Sequence, residues 1–129
     1  MAEPGQGHYP NQVPIDAYGN GGFRFADMSH KGSLLCLPTG MHRWGVASPA
    51  EITLETLQPV FEAAAEIDVL LLGLGKDIAG FDRSIREALR AERIIVEAIA
   101  TGGAVRTYNI LLGEQRAVGA ALIAVDSVR

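Results

Sequence analysis

The sequence predicts a layered α/β fold in which an antiparallel β region is followed by a β-α-β-α-β half. Short apolar runs separated by glycines occupy residues 15–46, and longer apolar runs alternate with two helical patterns after residue 68. Such alternation is typical of a sheet covered by helices. The chain has 129 residues, of which 48% are hydrophobic, so it can form one compact core but not two ordinary domains.

The first residues have a different composition from the rest of the chain. They are rich in Gly, Pro and side-chain amides, and such a segment cannot bury enough apolar surface to order itself. We therefore expect a flexible tail over residues 1–12 and a single domain over residues 13–129.

Short strands separated by glycine are expected in the first half of the domain. The candidate runs are Ile15–Tyr18, Phe23–Phe25, Ser33–Leu37 and Met41–Val46. Between the first two lies Gly-Asn-Gly-Gly, which permits the positive φ angles that a tight hairpin needs. These runs predict an antiparallel β-ribbon at the N-terminal side of the fold.

A short helix is expected between the two halves. Ser48-Pro49-Ala50-Glu51 has the form of a capping box, and Thr53 offers a second start. Pro59 lies inside the apparent helix, which ends near Ala65, and it removes an internal hydrogen bond unless a new helix starts there. The pattern thus indicates a short helix that is broken at the proline.

The second half predicts three strands and two helices. Val69–Leu72 has the continuous apolar character of a strand buried on both faces. Asp82 or Ser84 caps the next helix, whose apolar residues recur at helical spacing. A strand at Ile95–Ile99, a helix over about 104–115 and a strand at Val118–Val125 complete the half.

Composition excludes several classes of function. A net charge of −4 argues against a general nucleic-acid binder, and no apolar run approaches the ~20 residues that cross a bilayer. No secretory signal is recognisable, and Cys36 is the single cysteine, set in an apolar strand. The three histidines show no ligand spacing, so we expect no metal and no cofactor. These observations predict a cytoplasmic protein without membrane insertion.

The loops after two predicted strands form the candidate binding site. If Val69–Leu72 and Ile95–Ile99 are parallel, their C-terminal ends open on one rim of the sheet, where α/β proteins usually bind ligands. Free N–H groups at a glycine-rich helix start, together with an arginine, would hold a phosphate, sulfate or carboxylate there. The rim residues are Gly73, Gly75, Lys76, Asp77, Thr101, Gly102, Gly103, Arg106, Tyr108 and Asn109.

A structural interpretation of the same residues remains open. The glycines would serve a tight turn, Lys76 and Asp77 would be solvated charges, and Tyr108 would be a core aromatic. The loop departs from a Walker loop because Asp77 follows Lys76, and from a dinucleotide fingerprint because Ile78 occupies its last glycine position, so nucleotide binding is disfavoured. No nucleophile–base pair completes the rim, so binding is expected before catalysis.

Two helix faces are candidates for protein contact. The helix that starts at Asp82 or Ser84 carries an arginine stripe consisting of Arg83, Arg86, Arg90 and Arg93. This stripe is either a solvated face or a docking site for an acidic partner. The acidic partner would be the Glu-rich region 51–68 of another subunit or a different protein. On the helix predicted over about 104–115, Ile110 is either covered by the N-terminal β region or part of a contact surface. We expect that the N-terminal β region covers it.

Several segments together resemble a known family. They are Val69–Gly75, Val96–Gly102, Arg106–Leu111 and Arg116–Val118, with the earlier Gly-Phe-Arg-Phe and Gly-Ser-Leu-Leu stretches and Trp44. They are similar to the MTH-nine-three-eight-like domain family, also called domain of unknown function four-nine-eight, which includes the mitochondrial complex I assembly factor three. The resemblance covers about residues 13–125 and implies a three-layer fold with a central mixed sheet and an added β-ribbon.

The sequence leaves two classes of function. The resemblance supplies no established activity, but it links mitochondrial relatives to the assembly of a respiratory membrane complex. We therefore expect a non-catalytic interaction or assembly factor that holds a protein partner or a second copy of itself. The alternative is a small-anion or small-ligand binding protein, or an enzyme, that acts at the rim of the sheet.

Overall fold

The chain folds as a mixed sheet with helices on both faces. The computed structural model describes residues 8–76 and 81–126, and within these ranges it shows a six-stranded sheet and a three-stranded antiparallel ribbon. The strands are β1 (His8–Tyr9), β2 (Ala17–Gly19), β3 (Gly22–Phe25), β4 (Met28–Lys31), β5 (Ser33–Leu37), β6 (Gly40–Trp44), β7 (Val69–Gly73), β8 (Ile95–Ile99) and β9 (Val118–Leu122). The helices are α1 (Gln58–Glu62), α2 (Arg83–Ala91) and α3 (Thr101–Gly113).

The strand order confirms the predicted mixed sheet and its β-α-β-α-β half. In the large sheet the order is β1-β6-β5-β9-β7-β8. Strand β7 is parallel to both β8 and β9, whereas β5 is antiparallel to β6 and β9. The C-terminal ends of β7, β8 and β9 therefore meet at one rim.

The ribbon consists of β2, β3 and β4. Positive φ angles of 54° at Asn20 and 78° at Gly21 form the predicted β2–β3 hairpin. The sequence did not reveal β4, because its turn is made by Ala26 and Asp27, which adopt φ angles of 51° and 62° without a glycine. Residues other than glycine adopt positive φ angles uncommonly. Because this turn contains no glycine, no signal in the sequence indicates that a further strand follows β3.

The segment between the two halves is broken as Pro59 predicts. Two 3₁₀ turns, Pro49–Glu51 and Ala64–Glu66, flank the five-residue helix α1, and Pro59 lies in its first turn. Ser48 makes no side-chain cap, whereas Glu51 accepts a hydrogen bond from the Ala47 amide at 2.6 Å. The Trp44 indole donates to the Thr56 carbonyl at 2.8 Å and ties this segment to β6.

The two faces of the sheet carry separate apolar clusters. Leu70 and Leu72 of β7 pack towards α1 and α2, and Leu71 packs towards α3 and the ribbon. This alternation explains why β7 is apolar throughout, since a strand covered on both faces needs apolar side chains on both. The result is the three-layer arrangement that the resemblance implied.

The N-terminal residues differ from the expected tail where they are described. Strand β1 pairs with β6, and the Gln12 side chain donates to the Val118 carbonyl at 2.7 Å. Backbone pairing with an existing sheet edge compensates for the poor composition of this segment. Residues 1–7 lie outside the described residues.

Helix α3 begins at Thr101, three residues before the predicted start, because Thr101 is fixed by main-chain groups that follow the ends of two strands, β7 and β9. Its hydroxyl donates to the Ile123 carbonyl at 2.7 Å and accepts from the Gly75 amide at 3.0 Å. Its own amide donates to the Gly75 carbonyl at 2.9 Å. Thr101 is completely buried, so these bonds are protected from water.

Cys36 and Tyr108 occupy the core between the sheet and α3. Both are fully buried, and the Tyr108 hydroxyl donates to the Val13 carbonyl at 2.8 Å. Burial raises the pKa of the Cys36 thiol, and the hydrogen bond with Tyr108 opposes that rise only in part. Burial likewise raises the pKa of the Tyr108 hydroxyl, and the Cys36 thiol adds to the rise. Both groups therefore remain neutral.

We expect Thr101→Val to lower the free energy of unfolding by about 2–4 kcal/mol, because it keeps the shape but leaves two buried main-chain groups unpaired. Urea unfolding followed by circular dichroism measures the change. Thr107→Val, at a half-buried position of the same helix, is the matched control and should cost less than about 0.5 kcal/mol. Equal losses in the two variants would contradict the structural role of the Thr101 hydroxyl.

Labelling of Cys36 by a thiol reagent should proceed only through unfolding, so the rate should rise steeply with urea. The unfolded thiol ionises above pH ~8.5, whereas the folded thiol stays protonated because its pKa is raised. The protonated Cys36 thiol therefore makes its full contribution to the free energy of unfolding below pH ~8.5, and this contribution is lost as the pH rises further. The free energy of unfolding should be lower at pH ~9.5 than at pH ~8. This difference between the two pH values should be smaller in the Cys36→Ala variant.

Candidate functional site

The rim glycines adopt structural roles. Gly75 has a φ of 92°, and a Cβ on Gly73 would lie 3.0 Å from both Leu122 and the Thr101 hydroxyl. The turn after β7 therefore needs glycine for its backbone angle and for its close packing. Asp77, which the sequence also placed at this rim, lies outside the described residues.

The first turn of α3 is partly covered by the ribbon. The Tyr18 hydroxyl lies where a side chain on Gly102 would begin, so residue 102 must be glycine for Tyr18 to pack here. A Cβ on Gly103 would lie 3.4 Å from the Ile99 side chain. The Tyr18 contact explains the glycine at 102 without requiring a bound anion, whereas the distance at Gly103 is an ordinary van der Waals contact that does not require glycine.

The two cationic rim residues line different cavities. Arg106 borders a cavity of about 340 Å³ between α3 and residues 15–18, which also includes Asp16. Lys76 borders one of about 320 Å³ between the end of β9 and residues 47–49, which also includes Asp126. Each cation thus shares its cavity with an acidic residue, and the structure does not bring the two cations to one position.

Three polar side chains of α3 are bonded to the main chain, namely those of Thr101, Tyr108 and Asn109. Asn109 donates to the Ile15 carbonyl and accepts from the Ile15 amide, both at 2.8 Å. With the Tyr108–Val13 bond, this pair fastens the start of the ribbon to α3. Within the described residues, every buried side-chain nitrogen and oxygen has a hydrogen-bond partner. Tyr108, Asn109 and Thr101 therefore stabilise the fold with the groups that a ligand would need.

The arginine stripe is exposed, but its members have different surroundings. Asp82 caps α2 by accepting from the Ser84 amide at 2.9 Å, a bond that lowers the pKa of its carboxyl. Arg86 donates to the Val96 carbonyl at 3.1 Å and lies 5.1 Å from the Phe81 ring centre. The exposed residues Arg83 and Arg90 lie on the same flank of the helix, and Arg93 lies in the turn before β8 with a φ of 65°.

Acidic residues share a layer with this stripe. Helices α1 and α2 cover the same face of the sheet. The acidic residues around α1 are all exposed, namely Glu51, Glu55, Glu62, Glu66 and Asp68. Acidic and basic surfaces therefore lie side by side on one layer rather than on opposite sides of the molecule.

Two exposed isoleucines mark the other face of the sheet. Ile95 on β8 is 64% exposed and Ile110 on α3 is 56% exposed. The expected cover of Ile110 by the N-terminal β region is therefore wrong. The ribbon contacts the flank of α3 that holds Gly102 and Asn109, about a quarter turn away. Glu97 in the middle of β8 was the available sequence signal that this face of the strand is open.

The described ranges contain no helix that is long and apolar enough to cross a membrane. In the same ranges, no group of three or more His, Cys, Asp or Glu residues is placed to hold a metal ion. The described surface offers outward-facing side chains for contact, together with cavities that are lined by both cationic and acidic residues.

Known proteins of similar sequence include one assembly factor. The chain is 36% identical over 121 residues to an uncharacterized Rhodobacter capsulatus protein, covering 94% of this chain and 90% of that one. It is 31% identical over 118 residues to the mouse NADH dehydrogenase [ubiquinone] 1 alpha subcomplex assembly factor 3, covering 92% of this chain. The match spans 64% of the length of the mouse protein.

Solved structures share the fold over nearly the whole chain. A Bartonella henselae protein described as an outer membrane protein has a TM-score of 0.88 and 47% identity, covering 92% of this chain and all of that one. A Rhodopseudomonas palustris protein has a TM-score of 0.82 and 49% identity, covering 97% and 93%. The Mth938-like domain from Bordetella pertussis has a TM-score of 0.76 and 28% identity, covering 99% and 94%.

The family match covers most of the folded chain. Residues 15–123 match the family described as Protein of unknown function (DUF498/DUF598). This range runs from two residues before β2 to one residue after β9, so it includes every described strand except β1 and all three helices. The chain belongs to this family and has its Mth938-like fold.

Proposed function

We propose that the protein is a non-catalytic assembly factor that holds another polypeptide, a subunit of a respiratory NADH dehydrogenase, while a larger complex forms in the cytoplasm. The observation that carries this proposal is the contrast between the interior and the surface. The polar groups that a reaction would need are bonded to the main chain, whereas Arg83, Arg90, Ile95 and Ile110 point outwards.

The relatives support the same conclusion. The mouse protein is named as an assembly factor for NADH dehydrogenase and is similar over 92% of this chain. An assembly factor needs surfaces that recognise a polypeptide rather than groups that transfer protons or electrons. Exposed arginines and isolated apolar side chains on a rigid scaffold satisfy that requirement.

The small-ligand alternative has less support. Thr101, Tyr108 and Asn109 would have to exchange main-chain bonds for bonds to a ligand, which leaves buried groups unpaired. A second copy is the more serious competitor for the α1/α2 layer. Its acidic residues 51–68 would face the arginine stripe of the first copy.

Replacing Arg83 and Arg90 together by glutamate should leave stability within about 0.5 kcal/mol, because both are exposed helix residues, and should abolish co-purification with the dehydrogenase subunits. Subunit abundance after isolation from the native host, by quantitative mass spectrometry, is the measurement. The charge-matched control is Arg43→Glu with Arg116→Glu, two exposed arginines elsewhere. If both double variants retain the same subunits as the natural chain, the stripe is not the contact.

The competing dimer is tested on the same variants. Sedimentation of the natural chain at low and high salt should show a monomer if the partner is a different protein. A salt-sensitive dimer that is lost in Arg83→Glu with Arg90→Glu would instead assign the stripe to self-association.

Arg86 should behave differently from its neighbours. Arg86→Ala removes a hydrogen bond to the Val96 carbonyl and the contact with Phe81, which predicts a loss of about 1 kcal/mol. Arg83→Ala removes the same charge and should cost less than about 0.5 kcal/mol. Urea unfolding of both variants at one salt concentration measures the difference. Identical midpoints would show that the Arg86 bond does not contribute to stability.

A further inference from the structure

Strand β8 has an open outer edge. It is last in the order of the large sheet, and among residues 8–76 and 81–126 no strand pairs with its outer side. The Ile95 amide donates to the Asp68 carbonyl, and the Ile99 carbonyl accepts from the Leu74 amide, both towards the β7 side. The main-chain groups of the alternate residues Val96 and Ala98 therefore point outwards, where another strand would bind them.

The two sides of this edge differ in chemistry. On the α3 side, Ile95 is 64% exposed, Ile110 is 56% exposed and Ile99 is half-buried. The α3 flank that includes Gly103 faces Ile99, and Ile110 lies two turns further along that flank. A strand laid beside β8 would thus meet the three isoleucines on this side of the sheet, together with the exposed carboxylate of Glu97 between Ile95 and Ile99.

The opposite side of the edge is cationic. The Arg86 guanidinium reaches the Val96 carbonyl. Arg83 and Arg90 lie one turn before and after it on the same flank of α2, and both are exposed. Successive side chains of an added strand would alternate between the isoleucines and these arginines.

We propose that the outer edge of β8 binds an extended segment of a partner polypeptide as an additional strand, with apolar side chains alternating with acidic ones. The apolar residues pack on Ile95, Ile99 and Ile110, and the acidic residues face Arg83, Arg86 and Arg90. This rests on the proposed function, since it specifies how the held polypeptide is recognised. The mode is addition of a strand to a sheet edge, in which the main chain supplies affinity and the alternate side chains supply specificity.

A second copy of the chain fits this edge poorly. Pairing β8 with another β8 across a two-fold axis would bring the two arginine flanks together, because both copies of α2 would lie on one face of the continuous sheet. Like charges in such a position oppose association. The charge therefore favours a foreign acidic segment.

Arg86 also protects the edge when no partner is bound. Its side chain occupies the Val96 carbonyl, which is one of the acceptors that an added strand uses. Charged groups placed over an edge strand prevent unwanted pairing. A partner strand must therefore displace Arg86 from this carbonyl.

The first test uses a ten-residue capped peptide that alternates valine and glutamate. Titration into the ¹⁵N-labelled full chain should shift the Val96 and Ala98 amides and slow their hydrogen exchange at least tenfold. The same peptide with lysine in place of glutamate should bind at least tenfold more weakly. A glutamate peptide N-methylated at four consecutive central residues cannot donate hydrogen bonds from either edge there and should lose binding.

The second test compares two variants that remove one charge each. Arg86→Ala uncovers the Val96 carbonyl and Arg90→Ala does not, so Arg86→Ala should bind the peptide more tightly than Arg90→Ala. Equal affinities of the two variants for the peptide would show that Arg86 and the peptide do not compete for the Val96 carbonyl. That result would overturn the edge site. Ile95→Asp should weaken binding at least tenfold, and an unchanged affinity would equally overturn it.

The remaining outcomes separate this inference from the proposed function. If the N-methylated peptide binds as well as the unmodified one and shifts are confined to α2, charge alone holds the peptide and the strand site fails, while an assembly role through the arginine stripe stands. If the chain alone forms a dimer that Ile95→Asp dissolves, the edge is a self-interface and the inference fails. Peptide binding at β8 without recovery of dehydrogenase subunits from the host would overturn the proposed partner but not the edge.

Discussion

The hydroxyl of Thr101 is the contact on which the architecture depends most. It lies where the ends of the three parallel strands meet, and it bonds the residue after β9 and the turn after β7 while its own backbone begins α3. A single buried oxygen thus fixes the spacing of two strand ends and the position of the helix that covers them. Because both of these hydrogen bonds lie within the protein, the Thr101 hydroxyl serves the fold at this rim.

The attachment of the ribbon follows from this placement of α3. Asn109 holds both main-chain groups of Ile15, and Tyr108 holds the carbonyl of Val13, across sequence separations of 94 and 95 residues. An amide side chain that takes the place of a neighbouring strand in this way provides hydrogen-bond partners for main-chain groups that would otherwise be buried without any. The N-terminal ribbon is therefore part of the same core and not an appendage.

The sequence predicts the elements with local signals and misses those that depend on distant contacts. The apolar run of β7, the Asp82 cap of α2 and the break at Pro59 could all be predicted because each depends on neighbouring residues. Strand β4 was missed because Ala26 and Asp27 turn the chain without glycine. The exposure of Ile110 was missed because the flank of α3 on which the ribbon packs is set by Tyr18 and Ile15, which no periodicity in residues 101–113 encodes. The Arg86–Val96 bond likewise leaves no local pattern, since the sequence shows a stripe but not the strand edge beneath it.

The strand order has a consequence for how the chain acquires its structure during synthesis. Strand β9 follows every other described strand in sequence, yet it lies between β5 and β7 in the sheet. Until residues 118–122 leave the ribosome, the antiparallel half and the parallel half have no strand to join them, and β5 presents an unpaired apolar edge. Sheets closed by non-local pairs form slowly, and unpaired strand edges invite aggregation in the interval. The nascent protein therefore depends on the prompt arrival of β9, which closes the sheet between its two halves.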